Sequence, residues 1–142
     1  MRKKYVYICS PFRGTAQQQA RRLSGILSEG VKKSIRRSIR AENSQRAKRI
    51  CKAIVSKYPD IIPIAPHLYF PQFLSDELPE ERDAGLEMGL ALLSKCSELW
   101  LFDSDGIGEG MTAELRYAAF HGIKIRKINE ETLLEEWRGV LL

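Results

Sequence analysis

Cysteine is scarce in this chain of 142 residues, and Cys9, Cys51 and Cys96 stand far apart. Without a CxxC pair they form neither a zinc ribbon nor a disulfide scaffold, and they suit a reducing cytoplasm. Histidine is scarcer: His67 and His121 make no HxH or HExxH pattern, so no metal site and no cofactor are expected. No apolar run approaches the ~18 residues of a membrane helix, so no membrane partner is expected. The basic start MRKK leads into an apolar stretch of only five residues, Tyr5 to Cys9, which Ser10-Pro11 breaks. That is too short for a signal peptide and reads as a first strand. Internal repeats and low-complexity tracts are absent from the sequence.

What is there is a globular balance, with 44% hydrophobic and 29% charged residues, so wholesale disorder is excluded. The length fits one domain, residues 1–142. Charge is uneven: residues 1–57 hold 16 Lys/Arg against 2 acids, and residues 58–142 hold 7 against 16. Two readings stay open. The basic half is a surface for nucleic acid or another polyanion, or it is a solvated helix face that pairs with the acidic half.

Strands and helices alternate along the chain. KYVYIC at 4–9 is β-branched and aromatic, a first strand. Ala16, Ala20, Leu23 and Leu27 at helical spacing predict a helix over 15–29 that Gly30 stops. Val31, Ile35 and Ile39, spaced by basic residues, predict a short amphipathic helix. Asn43 is placed to cap a further helix running to Lys57. IIPIA at 61–65 is a second strand, with Pro63 marking an edge or a bulge. An aromatic loop over 66–78 precedes a helix over 79–96. ELWLF is a third strand, then come a glycine-punctuated loop, a helix over 111–121, a fourth strand over 123–128 and a terminal helix from Glu130. This alternation predicts an α/β fold: a doubly wound, flavodoxin- or Rossmann-like parallel sheet of about 4–5 strands with helices on both faces.

Such sheets bind ligands beyond the carboxyl ends of their strands, so the loops there hold the candidate residues. In SPFRG, Ser10 offers a hydroxyl, Arg13 a planar cation and Gly14 a close backbone approach, a set that suits a phosphate or carboxylate. In DSDGIGEGMTAE, Gly106, Gly108 and Gly110 present backbone N–H groups at a helix start, neither as a Walker A loop nor as a dinucleotide fingerprint. Glu114 is expected in the first turn of the following helix, where the dipole would keep its carboxylate ionised, as a nucleophile requires. Asp83 and Glu87 share a helix face, and a second carboxylate near Glu114 would suit glycosyl chemistry; a solvated face is the plainer account. Gly85 and Gly89, four apart in the same helix, imply a close neighbour. His67, beside Tyr69 and Phe70, is a proton carrier, a stacking surface or a packed loop residue.

Three blocks together resemble the nucleoside 2-deoxyribosyltransferase-like superfamily: YICSPFRG; PIAPHLYFPQFL with PEERDAGLEMGL; and CSELWLFDSDGIGEGMTAELRYAAFHGIKI. They resemble most a branch of small bacterial and phage domains of unknown function, and cover residues 5–14 and about 43–126. The resemblance implies a flavodoxin-like sheet and cleavage or exchange of an N-glycosidic bond on a (deoxy)nucleoside or its 5′-monophosphate. It implies Glu114 as the nucleophile and Asp83 as a second catalytic carboxylate. Ser10, Arg13 and Gly14 would approach the 5′-phosphate, and His67, Tyr69, Gly108, Gly110 and Met111 would complete the substrate site. It also implies a homodimer or larger homo-oligomer. Two features depart from the pattern: the tail NEETLLEEWRGVLL has no counterpart to the transferases' asparagine-bearing segment, and a basic helical insertion occupies about 15–41. The insertion suits a lid, an oligomer arm or a nucleic-acid contact, and its deletion is expected to leave the core folded. The alternative to an enzyme is a non-catalytic nucleotide- or nucleic-acid-binding module on the same fold.

Overall fold

The computed structural model describes residues 4–23, 25 and 27–141, with side chains as far as residue 136. Four strands, β1 (Lys4–Cys9), β2 (Ile61–Ile64), β3 (Glu98–Leu101) and β4 (Lys124–Lys127), form one sheet in the order β2-β1-β3-β4. All three pairings are parallel, with Val6 opposite Pro63 on one side and Glu98 on the other. β2 is therefore an edge strand, which is where Pro63 can lack a ladder N–H without loss. The helices are α1 (Ala16–Arg22), α2 (Glu29–Lys57), α3 (Pro79–Leu93), α4 (Glu109–Phe120) and α5 (Glu130–Leu141).

Period-two alternation in the central strands divides the core. Val6, Ile8, Trp100 and Phe102 face Ile50, Ala53 and Ile54 of α2 and Leu133 of α5. Tyr7, Cys9, Leu99 and Leu101 face Leu93 of α3 and Met111 and Ala118 of α4. The sheet is thus doubly wound, and the order in which strands are added reverses between β1 and β3. The crevice at their carboxyl ends is where such folds take ligands.

The first sixty residues correct three sequence expectations. Among the described residues of the span read as 15–29, Ala16–Arg22 form one short helix and Glu29 already opens α2. Gly30 does not stop a helix; it lies in the first turn of α2, which Ser28 caps by accepting from the Val31 N–H at 3.2 Å. Asn43 caps nothing, because α2 runs unbroken through it for 29 residues. Instead Asn43 is buried, donates to the Phe12 carbonyl at 3.0 Å, and exchanges bonds with the Gln18 amide at 2.8 and 3.0 Å. The hydrophobic period of the basic segment continues into the core stripe of 47–55, so one helix carries both.

The insertion is also less separable than its charge suggests. Thr15 is buried and its hydroxyl donates to the Asp105 carbonyl; Ile39 is 2% exposed. Gln18, Arg21 and Arg46 all converge on the Asp105 carboxylate, which holds its pKa below the usual range. Deleting 16–41 would remove Gln18, Arg21 and Ile39, taking two of the three side chains from Asp105 and the amide partner from Asn43, so the deletion is expected to unfold the domain rather than spare it. A gentler test is Asn43→Ala. Losing the bonds to the Gln18 amide and the Phe12 carbonyl should cost about 2–3 kcal/mol. The thermal midpoint should drop by roughly 5–12 °C. An unchanged midpoint in calorimetry would show that the pair carries no stability.

The charge asymmetry closes largely within the chain. Glu77 receives Lys33, Arg37 and Arg40 at 3.2–3.4 Å, and Arg22 meets Glu42 at 2.8 Å. Among the described residues no helix is long and apolar enough to cross a membrane.

Candidate active site

Tyr7 and Cys9 sit two apart on β1 and so point to the same face, the one covered by α3 and α4. Glu114 comes from α4, which follows β3, the neighbour of β1. The three side chains meet: the Tyr7 hydroxyl donates to Glu114 Oε2, and the Cys9 thiol lies 3.5 Å from Oε1. Glu114 stands in the second turn of α4 rather than the first, since the helix starts at Glu109. The helix start therefore does not keep it ionised as expected. Burial pushes its carboxyl up to about 7, and the Tyr7 and Cys9 donors offset part of that rise. The same burial, with the Glu114 charge beside them, pushes the Tyr7 hydroxyl and the Cys9 thiol well above their ordinary range.

Glu114 lies in the wall of a cavity over the carboxyl ends of β1 and β3. Ser10, Arg13, His67, Gly110 and Met111 line it too, so six of the sequence-predicted residues share one site. The Ser10 hydroxyl and His67 Nε2 are 3.2 Å apart. Burial drops the His67 pKa to about 4, so its ring is neutral at physiological pH. Arg13 donates through Nε to Asp76 at 2.6 Å across the cavity mouth. Phe12, Phe70, Pro66, Leu74 and Leu86 supply an apolar lining.

Four predicted residues lie elsewhere. Asp83 is exposed, as is Glu87, and neither lines the cavity. The face of α3 turned inward is 82, 85, 86 and 89; residues 83 and 87 are rotated about 100° from it. Arg82 and Glu81 occupy the cavity wall instead, Arg82 also reaching Glu109 at 2.8 Å. Tyr69 is 61% exposed and packs edge-on against Phe70 and Phe73, outside the cavity. Gly14 and Gly108 line an adjoining groove. Gly14 has φ +108°, a left-handed backbone that favours glycine, and a Cβ there would stand 3.0 Å from Ile39 Cγ2.

Sequence reasoning passed over Tyr7, reading it only as strand. One signal was available: a phenol in a fully buried central strand needs a hydrogen-bond acceptor. One glycine of the α3 pair also finds its reason here, whereas a Cβ on Gly85 would meet only Leu74 Cδ1 at an ordinary 3.8 Å. A Cβ on Gly89 would come within 3.3 Å of the Tyr7 hydroxyl oxygen, so glycine there leaves the phenol room beside Glu114. Among the described residues no group of three or more His, Cys, Asp or Glu side chains could hold a metal ion.

Residues 34–128 match the model of a domain of unknown function, DUF7768. The match begins inside the basic segment read as an insertion, so its last turns belong to the matched domain. No curated protein and no solved structure matches the chain.

Proposed function

We propose that this chain, which belongs to the DUF7768 domain family, cleaves or exchanges the N-glycosidic bond of a (deoxy)nucleoside 5′-monophosphate or nucleoside. The observation that carries this reading is a half-buried carboxylate, Glu114, in the wall of a cavity at the sheet's switch point, held by a phenol donor. In its ionised form Glu114 attacks C1′ of the sugar. The C1′–N bond breaks, its electron pair leaves with the base, and the base takes up a proton. Water or a second base then attacks C1′ and releases the carboxylate. The aromatic and aliphatic walls suit a nucleobase, and Ser10 and Arg13 at the mouth suit a 5′-phosphate. The position of Asp83 leaves proton handling to groups that do line the cavity, and the neutral His67 imidazole with the Ser10 hydroxyl fits that part.

The test is incubation with a panel of nucleosides and their 5′-monophosphates, with chromatography for released base. Release from at least one monophosphate is expected. Binding without release across the panel would leave a non-catalytic nucleotide-binding module. Arg13→Ala should raise KM for the monophosphate by roughly tenfold to a hundredfold, the loss of one charge-assisted contact. Activity on the free nucleoside should be unaffected, and equal losses on both would remove Arg13 from phosphate recognition. The resemblance behind this reading also carries a homodimer or larger homo-oligomer, which sedimentation velocity checks.

A further inference from the structure

The basic face of α2 has a use that the nucleotide cavity alone does not absorb. A groove of about 530 Å³ adjoins the cavity and shares Phe12, Arg13 and Met111 with it. Arg13 therefore stands at the junction. Beyond it the groove wall carries Arg36 and Arg40, four residues apart on α2 and so on one helix face. The phosphate loop lies directly against this helix, because Gly14 closes onto Ile39, the residue before Arg40. Arg40 shares Glu77 with Lys33 and Arg37, so one carboxylate faces three cations and positive charge is left over. Arg36 makes no ion pair among the described residues and is exposed. The groove's one acidic lining residue, Glu109, is met by Arg82.

We propose that this groove is a second anion subsite, and that the preferred ligand is a nucleotide whose 5′ side carries more than one phosphoryl group. This rests on reading the neighbouring cavity as a nucleotide site. The first phosphate lies at Ser10 and Arg13, and the chain of phosphates continues into the groove, where Arg36 and Arg40 receive it. Paired guanidinium groups fit phosphate oxygens bidentately, so each further phosphate gains charge-assisted bonds. A small polyphosphate is favoured over nucleic acid because the groove joins the cavity at Arg13, so Arg36 and Arg40 continue from the place of a nucleotide's own first phosphate. The other cations of α1 and the α2 start each have a carboxylate beside them: Arg21 has Asp105, Arg22 has Glu42, Lys32 has Glu29, and Lys33 and Arg37 share Glu77.

The test uses the full chain and titration calorimetry with nucleoside 5′-mono-, di- and triphosphates, inorganic tripolyphosphate, and a 5′-phosphorylated single-stranded oligonucleotide. Di- or triphosphates should bind roughly tenfold to a hundredfold tighter than the monophosphate. Arg36→Ala, a substitution on an exposed helix position, should erase that advantage and leave monophosphate binding unchanged. Equal affinity for mono- and triphosphate in the parent chain, or an equal loss for both in the variant, overturns the subsite. Tripolyphosphate binding that depends on Arg36, with no nucleotide bound, supports the groove while overturning the nucleotide reading of the cavity. An oligonucleotide that outcompetes the triphosphate through the same arginine overturns the small-ligand assignment in favour of nucleic acid.

Discussion

Glu114→Gln should lower base release by several orders of magnitude while leaving the fold intact, and at alkaline pH the variant should be the more stable protein. Both effects follow from one buried carboxylate. The amide keeps the shape and can still accept from the Tyr7 hydroxyl, but it cannot attack C1′. The stability effect has a definite sign. Burial raises the folded-state pKa of Glu114 to about 7 from an ordinary value of 4.5. A raised carboxyl pKa contributes stability that is fully present below the ordinary value and is lost as pH rises through the folded one. The folded chain therefore disfavours the ionised form by roughly 3 kcal/mol, and the parent protein carries that cost above pH 7. Glutamine has no proton to lose. Parent and variant should melt alike near pH 4, and by pH 8 the variant should melt several degrees higher. Unchanged base release by the variant would remove Glu114 as the nucleophile. Equal melting at both pH values would show that the carboxyl titrates in its ordinary range.

Much of the fold was legible because its strands are short apolar runs bounded by turn residues. Lys4–Cys9, Ile61–Ile64 and Glu98–Leu101 fall where pattern alone puts them. The misread segment is the basic one. A helix interior shows no mark at Asn43, whose partners Gln18 and Phe12 come from 25 and 31 residues upstream. Buried polar pairs of that kind depend on tertiary approach, so a capping residue and a core amide look alike in sequence. The site divides in the same way. Ser10, Arg13, Gly110, Met111 and Glu114 are reached by asking which loops follow strands. Asp83 is put forward by the face it shares with Glu87 as well as by a family string, yet the helical rotation of α3 presents Arg82, Gly85 and Gly89 to the cavity. Only the structure brings Tyr7 onto Glu114, because 107 residues of chain separate them.

That contact sets the second large effect, in Tyr7→Phe. The hydroxyl donates to a carboxylate oxygen, which favours the ionised form and holds the Glu114 pKa below what burial alone would give. Cys9 donates as well, but a thiol at 3.5 Å is the weaker partner. Losing the phenol bond to a charged group costs that form about 1.5–3 kcal/mol. The acid limb of the pH–rate profile should then move from near pH 7 to about pH 8–9. Attack needs the ionised carboxylate, so turnover at pH 7 should fall roughly fivefold to fiftyfold and recover as pH rises. The other charged and titratable groups of the cavity, Arg13, Asp76, Arg82, Glu81 and His67, are unchanged, and His67 stays neutral through this range with its pKa near 4. KM should hold, because phenylalanine keeps the ring and gives up only the hydroxyl beside Gly89. A loss of turnover that is the same at pH 7 and pH 9 would mean that Tyr7 only positions the carboxylate. A profile and rate identical to the parent's would mean that the hydroxyl does not govern Glu114 at all.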